Sequence, residues 1–155
     1  MLTSNDIAKG VKITIVGNKP YRDISTPVSN AVKRDEADFA AHKYNLLWFN
    51  KQVNDYGVWN LKYREDDGNH WEDTLGISFW GYDEVMLLFG LEVKVEDVGN
   101  ITYGYLGKAA GMANSVLIAG SDGNQALGHG VMGWGNEFRD EYKIMLGINW
   151  YNKSH

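Results

Sequence analysis

Short strand-like segments precede a helix-rich final third in this chain, and this order limits the folds open to it. Segments 11–16 and 91–95 alternate apolar and polar residues, while segments 58–64 and 77–82 are rich in apolar and aromatic residues. Both compositions are typical of strands. Because the strand-like segments are separated from the final helices, the pattern favours an α+β fold over alternating βαβ units. We therefore predict a small antiparallel sheet of these four segments, with segregated helices.

The helices are predicted from apolar residues that recur every three or four positions. The clearest helix runs from 35 to about 54, with acidic residues in its first turn, where the helix dipole favours them. Further helices are predicted over 101–110, from 114 to about 127, and over 136–151. The residues expected in the core are Phe39, Leu46, Leu47, Val53, Ile77, Leu117, Ile144 and Ile148.

The chain length of 155 residues corresponds to one ordinary globular domain. We expect residues 1–34 to form a leader, the first strand and an irregular connection over 21–34. Residues 35–155 are expected to form the catalytic part. No apolar run has the length of a transmembrane helix.

Metal and cofactor chemistry has little support in the sequence. The absence of cysteine excludes disulfides and thiolate metal sites. The acidic loop 65–73 contains possible cation ligands, but its spacing does not match an EF-hand loop. A solvated hairpin loop is the favoured interpretation of these residues. No cofactor and no metal site are predicted.

The stretch 96–107, with the sequence EDVGNITYGYLG, combines two adjacent acids with residues typical of turns. Gly99 and Asn100 tolerate positive φ, so we expect a turn that exposes the acids Glu96 and Asp97. In the alternative interpretation the stretch is a strand–helix junction. The acids then cap the helix, and the tyrosines pack in the core.

Net charge and aromatic content narrow the classes of binding partner that suit this chain. The net charge is −5 and the pI about 5.3, which disfavours broad nucleic-acid binding through a basic surface. Six Trp and nine Tyr are more than a core of this size requires. The surplus suits stacking on sugars or bases, because these rings offer apolar faces with polar edges.

Three blocks of the sequence resemble the polymorphic toxin type 44 domain, the bacterial toxin 44 family. The first is WFNKQV at 48–53 followed by GVWNLK at 57–62. The second is EDVGN at 96–100, which continues into the glycines after Tyr103. The third is the C-terminal block 136–151, which begins NEFRD. Together they cover roughly residues 40–152.

The chain departs from the family pattern at three positions. Asn60 and Asn136 stand where the family has Asp, and Phe138 replaces a proline. If the family's Asp is essential at either position, the activity of this chain is altered. The residues that match are Trp59, Lys62, Asp97, Gly99, Asn100, Tyr103, Gly104, Glu137 (Glu for Asp), Asp140 and Tyr151.

The resemblance implies an antibacterial effector, or the toxic C-terminal domain of a bacterial competition system. Such a protein is made in the bacterial cytoplasm and delivered into a rival cell by a secretion apparatus or carrier protein. The first residues show no signal peptide, which agrees with that route. The resemblance also implies a cognate immunity protein as a partner.

The favoured chemistry is hydrolysis of cell-wall glycan (peptidoglycan). This reaction needs a carboxylic acid, a second polar group and aromatic walls. Asp97 or Glu96 is the expected proton donor. The other expected catalytic residues are Asn100, Tyr103, Lys62 and Asp140, converging in one pocket. The expected substrate-binding residues are Trp59, Tyr105, Glu137 and His129.

Two other functions stay open at this stage. A metal-independent ribonuclease would use His, Lys and Arg side chains as base, acid and phosphate ligand. Its candidates are Lys62, Arg64, His70, His129 and Arg139. A non-enzymatic carbohydrate-binding module would explain the aromatic residues but would give no purpose to the stretch 96–107.

Overall fold

The computed structural model describes residues 1–54, 57–61, 70–126 and 137–155, without the side chains of 121–126 and 137–140. Within these ranges the chain forms seven helices and a sheet of four strands, so the predicted α+β class is confirmed. In chain order the elements are α1 (Ser4–Ala8), β1 (Lys12–Val16), β2 (Lys19–Asp23), α2 (Ser25–Ala41), α3 (Leu46–Val53), α4 (Trp71–Leu75), β3 (Met86–Leu88), β4 (Leu91–Val93), α5 (Val95–Ala109), α6 (Asn114–Ala126) and α7 (Glu137–Ser154).

The sheet is mixed, whereas the sequence predicted an antiparallel one. Its strands lie in the order β1-β2-β3-β4, with antiparallel pairs at both ends and a parallel pair in the middle. The central pair joins Asp23 to Leu87, and Ile24 N–H donates to the Leu87 carbonyl at 2.9 Å. A parallel pair needs a long crossover connection, and helices α2, α3 and α4 lie within it.

Two predicted strands are wrong. Segment 77–82 is irregular, and the described part of 58–64, residues 58–61, forms a turn and irregular chain. Three of their apolar residues, Trp59, Leu61 and Ile77, are buried by tertiary contacts instead of a strand ladder. The indole N–H of Trp59, for example, donates to Asp35 at 2.9 Å, and the backbone of Trp59 donates to the Gln52 carbonyl.

The predicted helix 35–54 is two helices, α2 and α3, and the irregular connection predicted over 21–34 is wrong. Helix α2 begins ten residues earlier than predicted, at Ser25. Pro27 lies in its first turn, where a missing N–H costs nothing. The break falls at Tyr44, whose φ is +65° and whose N–H donates to the Ala110 carbonyl. Asn45 then caps α3 by accepting from Trp48 N–H at 3.0 Å.

The restart of the helix changes which residues enter the core. Leu46 and Leu47, predicted buried, are 47% and 70% exposed, and Phe49 takes their place. The other predicted core residues are buried as expected. These are Phe39, Val53, Ile77, Leu117, Ile144 and Ile148. The buried residues form one cluster that extends from Val11 to Ile148.

Helix α5 is the centre of the fold, and almost all of it is buried. The turn predicted at Gly99 and Asn100 is wrong, since both lie inside this helix. Helix α7 crosses α5 where glycines allow the backbones to touch. A Cβ on Gly104 would lie 2.2 Å from the Ile144 carbonyl oxygen. Gly104, one of the glycines of the resemblance, therefore has a packing role.

The N-terminal ten residues, expected as a loose leader, contain α1. Thr3 caps this helix by accepting from Asp6 N–H at 3.0 Å. The Asp6 side chain is buried and pairs with Arg22 of β2. In the described part of the chain, no helix combines the length and apolar character that crossing a membrane requires.

Candidate active site at the start of helix α5

The two adjacent acids at the start of α5 differ in environment. Asp97 is 1% exposed, and its Oδ2 accepts a hydrogen bond from Lys94 N–H at 2.9 Å. This is the geometry of a helix cap, in which a carboxylate satisfies a backbone donor of the first turn. Glu96 is only half-buried. Of the two predicted proton donors, Glu96 is therefore the one at the surface.

Asn100 and Tyr103 follow Asp97 at steps of three residues along α5, and both are buried. The Tyr103 hydroxyl donates to the Leu117 carbonyl at 2.7 Å and so joins α5 to α6. Burial raises the pKa of Tyr103 well above its ordinary value of 10.0 and keeps the phenol neutral. Both residues contribute to the interior beneath the start of α5.

The remaining predicted catalytic and substrate-binding residues fall into two groups. Lys62 and His129 lie outside the described residues. Glu137 and Asp140 belong to the first turn of α7, whose backbone alone is described there. The convergence of Lys62 and Asp140 with Asp97 therefore stays a prediction.

Two aromatic residues predicted to face the substrate lie in the core. Trp59 is 3% exposed and Tyr105 is 1% exposed. The Tyr105 hydroxyl donates to Glu36 of α2, and its ring packs on Trp150, with centroids 4.4 Å apart. These contacts give both rings a packing role in the described structure.

Two of the aromatic residues at the surface belong to segment 77–84, whose residues 77–82 were predicted to form a strand. Trp80 and Tyr82 are about half exposed. The pKa of Tyr82 is raised by partial burial and, to a smaller extent, by the negative charges of Glu96 and Asp83. The two carboxylates thus lie within electrostatic range of one phenol. The sequence signal was the run WGYD at 80–83, in which aromatic residues directly precede an acid.

A buried ion cluster holds this segment in place. Arg22 of β2 is 1% exposed, and its Nε and Nη2 donate to the two carboxylate oxygens of Glu84, each at 2.8 Å. Its Nη2 also donates to the Ser78 carbonyl at 2.9 Å. The guanidinium lies 4.4 Å from the ring centroid of Trp80, a favourable cation–π arrangement. Trp80 is consequently exposed but fixed.

A second titratable cluster lies where α2, α5 and the end of α7 meet. His155 Nε2 is 2.8 Å from Glu36 Oε2, and His155 Nδ1 is 2.9 Å from the Tyr151 carbonyl. The rings of His155 and Tyr151 stack with centroids 3.9 Å apart. These contacts fasten the last turn of α7 to α2.

Among the described residues, no group of three or more His, Asp or Glu side chains is placed to hold a metal ion. Residues 65–69 of the acidic loop lie outside the described residues. The end of that loop is helix α4 rather than solvated chain. Its Trp71 is fully buried, and the indole N–H donates to the Leu61 carbonyl at 2.8 Å.

Comparison with known protein families gives a match over the C-terminal part of the chain, to a family of bacterial toxin domains. The matching family is bacterial toxin 44, whose sequence model covers residues 90–153. The resemblance predicted from the sequence is therefore confirmed. The match includes the second and third blocks, and the first block, at 48–62, lies outside it. Neither the curated proteins nor the solved structures give a match.

Proposed function

We propose that this toxin domain hydrolyses cell-wall glycan by carboxylate acid–base chemistry, with Glu96 as the proton donor. The observation that carries the proposal is that the carboxylates of Glu96, in the first turn of α5, and of Asp83 both lie within electrostatic range of the half-exposed Tyr82 phenol. Glycoside hydrolysis uses two carboxyl groups on either side of the scissile bond. Aromatic rings at the surface supply the apolar walls on which sugar rings stack.

In the proposed reaction each group has one task. Glu96 gives a proton to the glycosidic oxygen as the bond to the anomeric carbon breaks. Asp83 either activates the attacking water or stabilises the positive charge that develops on the sugar. Tyr82 is protonated at neutral pH, as any tyrosine with a pKa of 10.0 or above is, and its pKa is raised further, so its phenol is available as a hydrogen-bond donor to the substrate.

Asp97 is proposed as a positioning residue. Its bond to Lys94 N–H fixes the first turn of α5, and that turn carries Glu96. Asn100 and Tyr103 support the same helix from the interior. Lys62 and Asp140 keep their predicted role of holding or polarising the substrate.

The family match supports a wider biological setting. A toxin domain implies secretion or delivery, and the family suggests an immunity protein as a partner. We propose delivery into a rival bacterium by a secretion apparatus or carrier. The immunity protein would then protect the producing cell, and cell-wall glycan would be the substrate.

The test compares where the toxin acts. The wild-type chain, expressed with an added export signal, should lyse the host and release glycan fragments, whereas cytoplasmic expression should be harmless. Glu96→Gln should abolish lysis and leave the melting temperature unchanged. Glu92→Gln is the matched control, because Glu92 is exposed on β4 and contacts Tyr21.

Three outcomes would contradict the proposal. Toxicity confined to the cytoplasm would favour the ribonuclease and its candidates Lys62, Arg64, His70, His129 and Arg139. Lysis that persists in the Glu96→Gln variant would remove Glu96 as the acid. Glycan binding without hydrolysis by the wild type would favour a carbohydrate-binding module.

A further inference from the structure

We infer that a second region of the surface, outside residues 90–153, binds an uncharged amino-sugar glycan. The region is a cleft of about 660 Å³ between α1, α4 and segment 76–80. We call it the Trp80 cleft. Its volume lies in the range of small-molecule binding sites. The residues that carry the argument are Asn5, Asp6, Lys9, Glu72, Ser78 and Trp80.

Trp80 provides a preorganised stacking surface in this cleft. The Arg22 guanidinium covers one face of the ring, while 52% of the residue stays exposed. The Trp80 backbone N–H donates to Glu84 Oε1 at 2.6 Å, and Glu84 is itself fixed by Arg22. A ring held in this way loses little conformational entropy when a ligand stacks on its open face.

The polar walls of the cleft are also fixed before any ligand binds. Asp6 accepts from Thr3 N–H at 3.1 Å and pairs with Arg22. Ser78 donates to Glu72 Oε1 at 2.5 Å. Asn5 Nδ2 donates to the Gly76 carbonyl at 2.6 Å. Carboxylate and amide groups in fixed positions are suited to the hydroxyl and acetamido groups of a sugar.

The charge of the cleft lining favours a sugar over a nucleic acid as the ligand. Asp6 and Glu72 place two carboxylates in the lining, against the one ammonium group of Lys9. The side-chain stem of Lys9 lies over Gly76, which has no Cβ to obstruct it. A polyphosphate chain would meet net negative charge in this cleft, whereas an uncharged pyranose would meet hydrogen-bonding groups and an aromatic face.

The choice of an amino-sugar ligand rests on the proposed function, because cell-wall glycan is the substrate proposed there. The cleft itself is tested by a binding measurement that does not depend on hydrolysis. The probe is the trimer of β-1,4-linked N-acetylglucosamine, titrated into Glu96→Gln protein so that no hydrolysis intervenes. Binding should perturb the indole N–H resonance of Trp80. We expect Trp80→Ala to raise the dissociation constant at least tenfold, because it removes the stacking surface.

Tyr142→Ala is the matched control, because Tyr142 is an equally exposed aromatic residue beside a cation, Lys143, on α7. It should leave binding unchanged. Glu72→Gln, which preserves shape, should weaken trimer binding without unfolding the protein. The inference is overturned if the trimer does not bind, or if Trp80→Ala binds it as tightly as its parent. A single-stranded oligonucleotide that binds at Trp80 more tightly than the trimer would also overturn it. Trimer binding without any glycan hydrolysis by the wild type would instead contradict only the proposed function.

Discussion

A Cβ atom on Gly147 of α7 would lie 1.9 Å from the carbonyl oxygen of Ile101 on α5. Gly104 makes the reciprocal approach to α7, at Ile144. The two helices therefore meet backbone to backbone at these glycines. This close approach holds α5, and with it the candidate site, against the C-terminal helix.

We expect Gly147→Ala to destabilise the protein by roughly 1–3 kcal/mol or more, because the added methyl group forces the helices apart. In an unconstrained helix the same change would stabilise by about 1 kcal/mol, so the sign of the effect is diagnostic. Urea unfolding measures it. Gly81→Ala is the control, because no atom lies within 4 Å of a Cβ there. A Gly147→Ala protein as stable as the wild type would contradict the packing.

Helix α3 gives a prediction about burial. Phe49→Ala should cost about 3–5 kcal/mol of stability, because Phe49 is fully buried and packs against Phe39 and Tyr103. Leu47→Ala, two positions earlier on the exposed face, should change stability by no more than about 0.5 kcal/mol. The two variants can be compared by thermal unfolding. Equal losses would mean that the helix face is assigned incorrectly.

The ion cluster around Arg22 predicts that the loss of one charge lowers the stability of the protein strongly. Arg22→Met leaves the buried Asp6 and the largely buried Glu84 without their cation, which should cost roughly 3–5 kcal/mol. Arg34→Met removes the exposed pair with Asp35 and should cost about 1 kcal/mol or less. Chemical denaturation of both variants makes the comparison. A small effect at Arg22 would show that the cluster is not structurally required.

The His155–Glu36 pair predicts how stability depends on pH. Both ring nitrogens of His155 face acceptors, Glu36 and the Tyr151 carbonyl, so the imidazolium form satisfies both contacts. The hydrogen bond to Glu36 is the largest cause that raises the pKa of His155 above 6.5. Burial opposes a lower pKa at Glu36, but hydrogen bonds from Tyr105 and His155 and the charges of His155 and Lys33 outweigh it, so the pKa falls below 4.5.

The two shifts together define a pH window. The contribution of His155 is complete below pH 6.5 and is lost as the pH rises through its raised folded-state pKa. That of Glu36 is complete above pH 4.5 and is lost as the pH falls through its lowered pKa. Between pH 6 and 8.5, the melting temperature of the wild type should therefore fall more than that of His155→Gln. Parallel curves for the two proteins would show that the pair does not contribute.

Sequence patterns correctly predicted the helices and strands that are determined mainly by their own residues. The alternation at 11–16 gave β1, and the apolar stripe at 136–151 gave α7. Helix α2 was missed because its early polar residues and Pro27 resemble a connection, although proline is tolerated in a first helical turn. The break at Tyr44 depends on a bond to Ala110, more than sixty residues away, which no local pattern encodes.

The candidate site, like the fold, was predictable from the sequence only in part. Adjacent acids at 96 and 97 were visible in the sequence, and the capping interpretation of Asp97 was among those considered. Which acid faces solvent was not visible, because it depends on where α5 begins. The proximity of Asp83 and Tyr82 to Glu96 is a tertiary relationship, as is the stacking of Trp80 on Arg22.

The stretch that matches the family is shorter than the stretch that folds. Strand β4 lies within residues 90–153, but its only partner in the described sheet, β3, precedes them. The Tyr105 hydroxyl on α5 likewise donates to Glu36 of α2, upstream of the match. Residues 90–153, expressed alone, would keep the sequence that matches the family but would lack the segments that bury its apolar side chains. A fragment that folds by itself must therefore begin well before residue 90 and include β3 and α2.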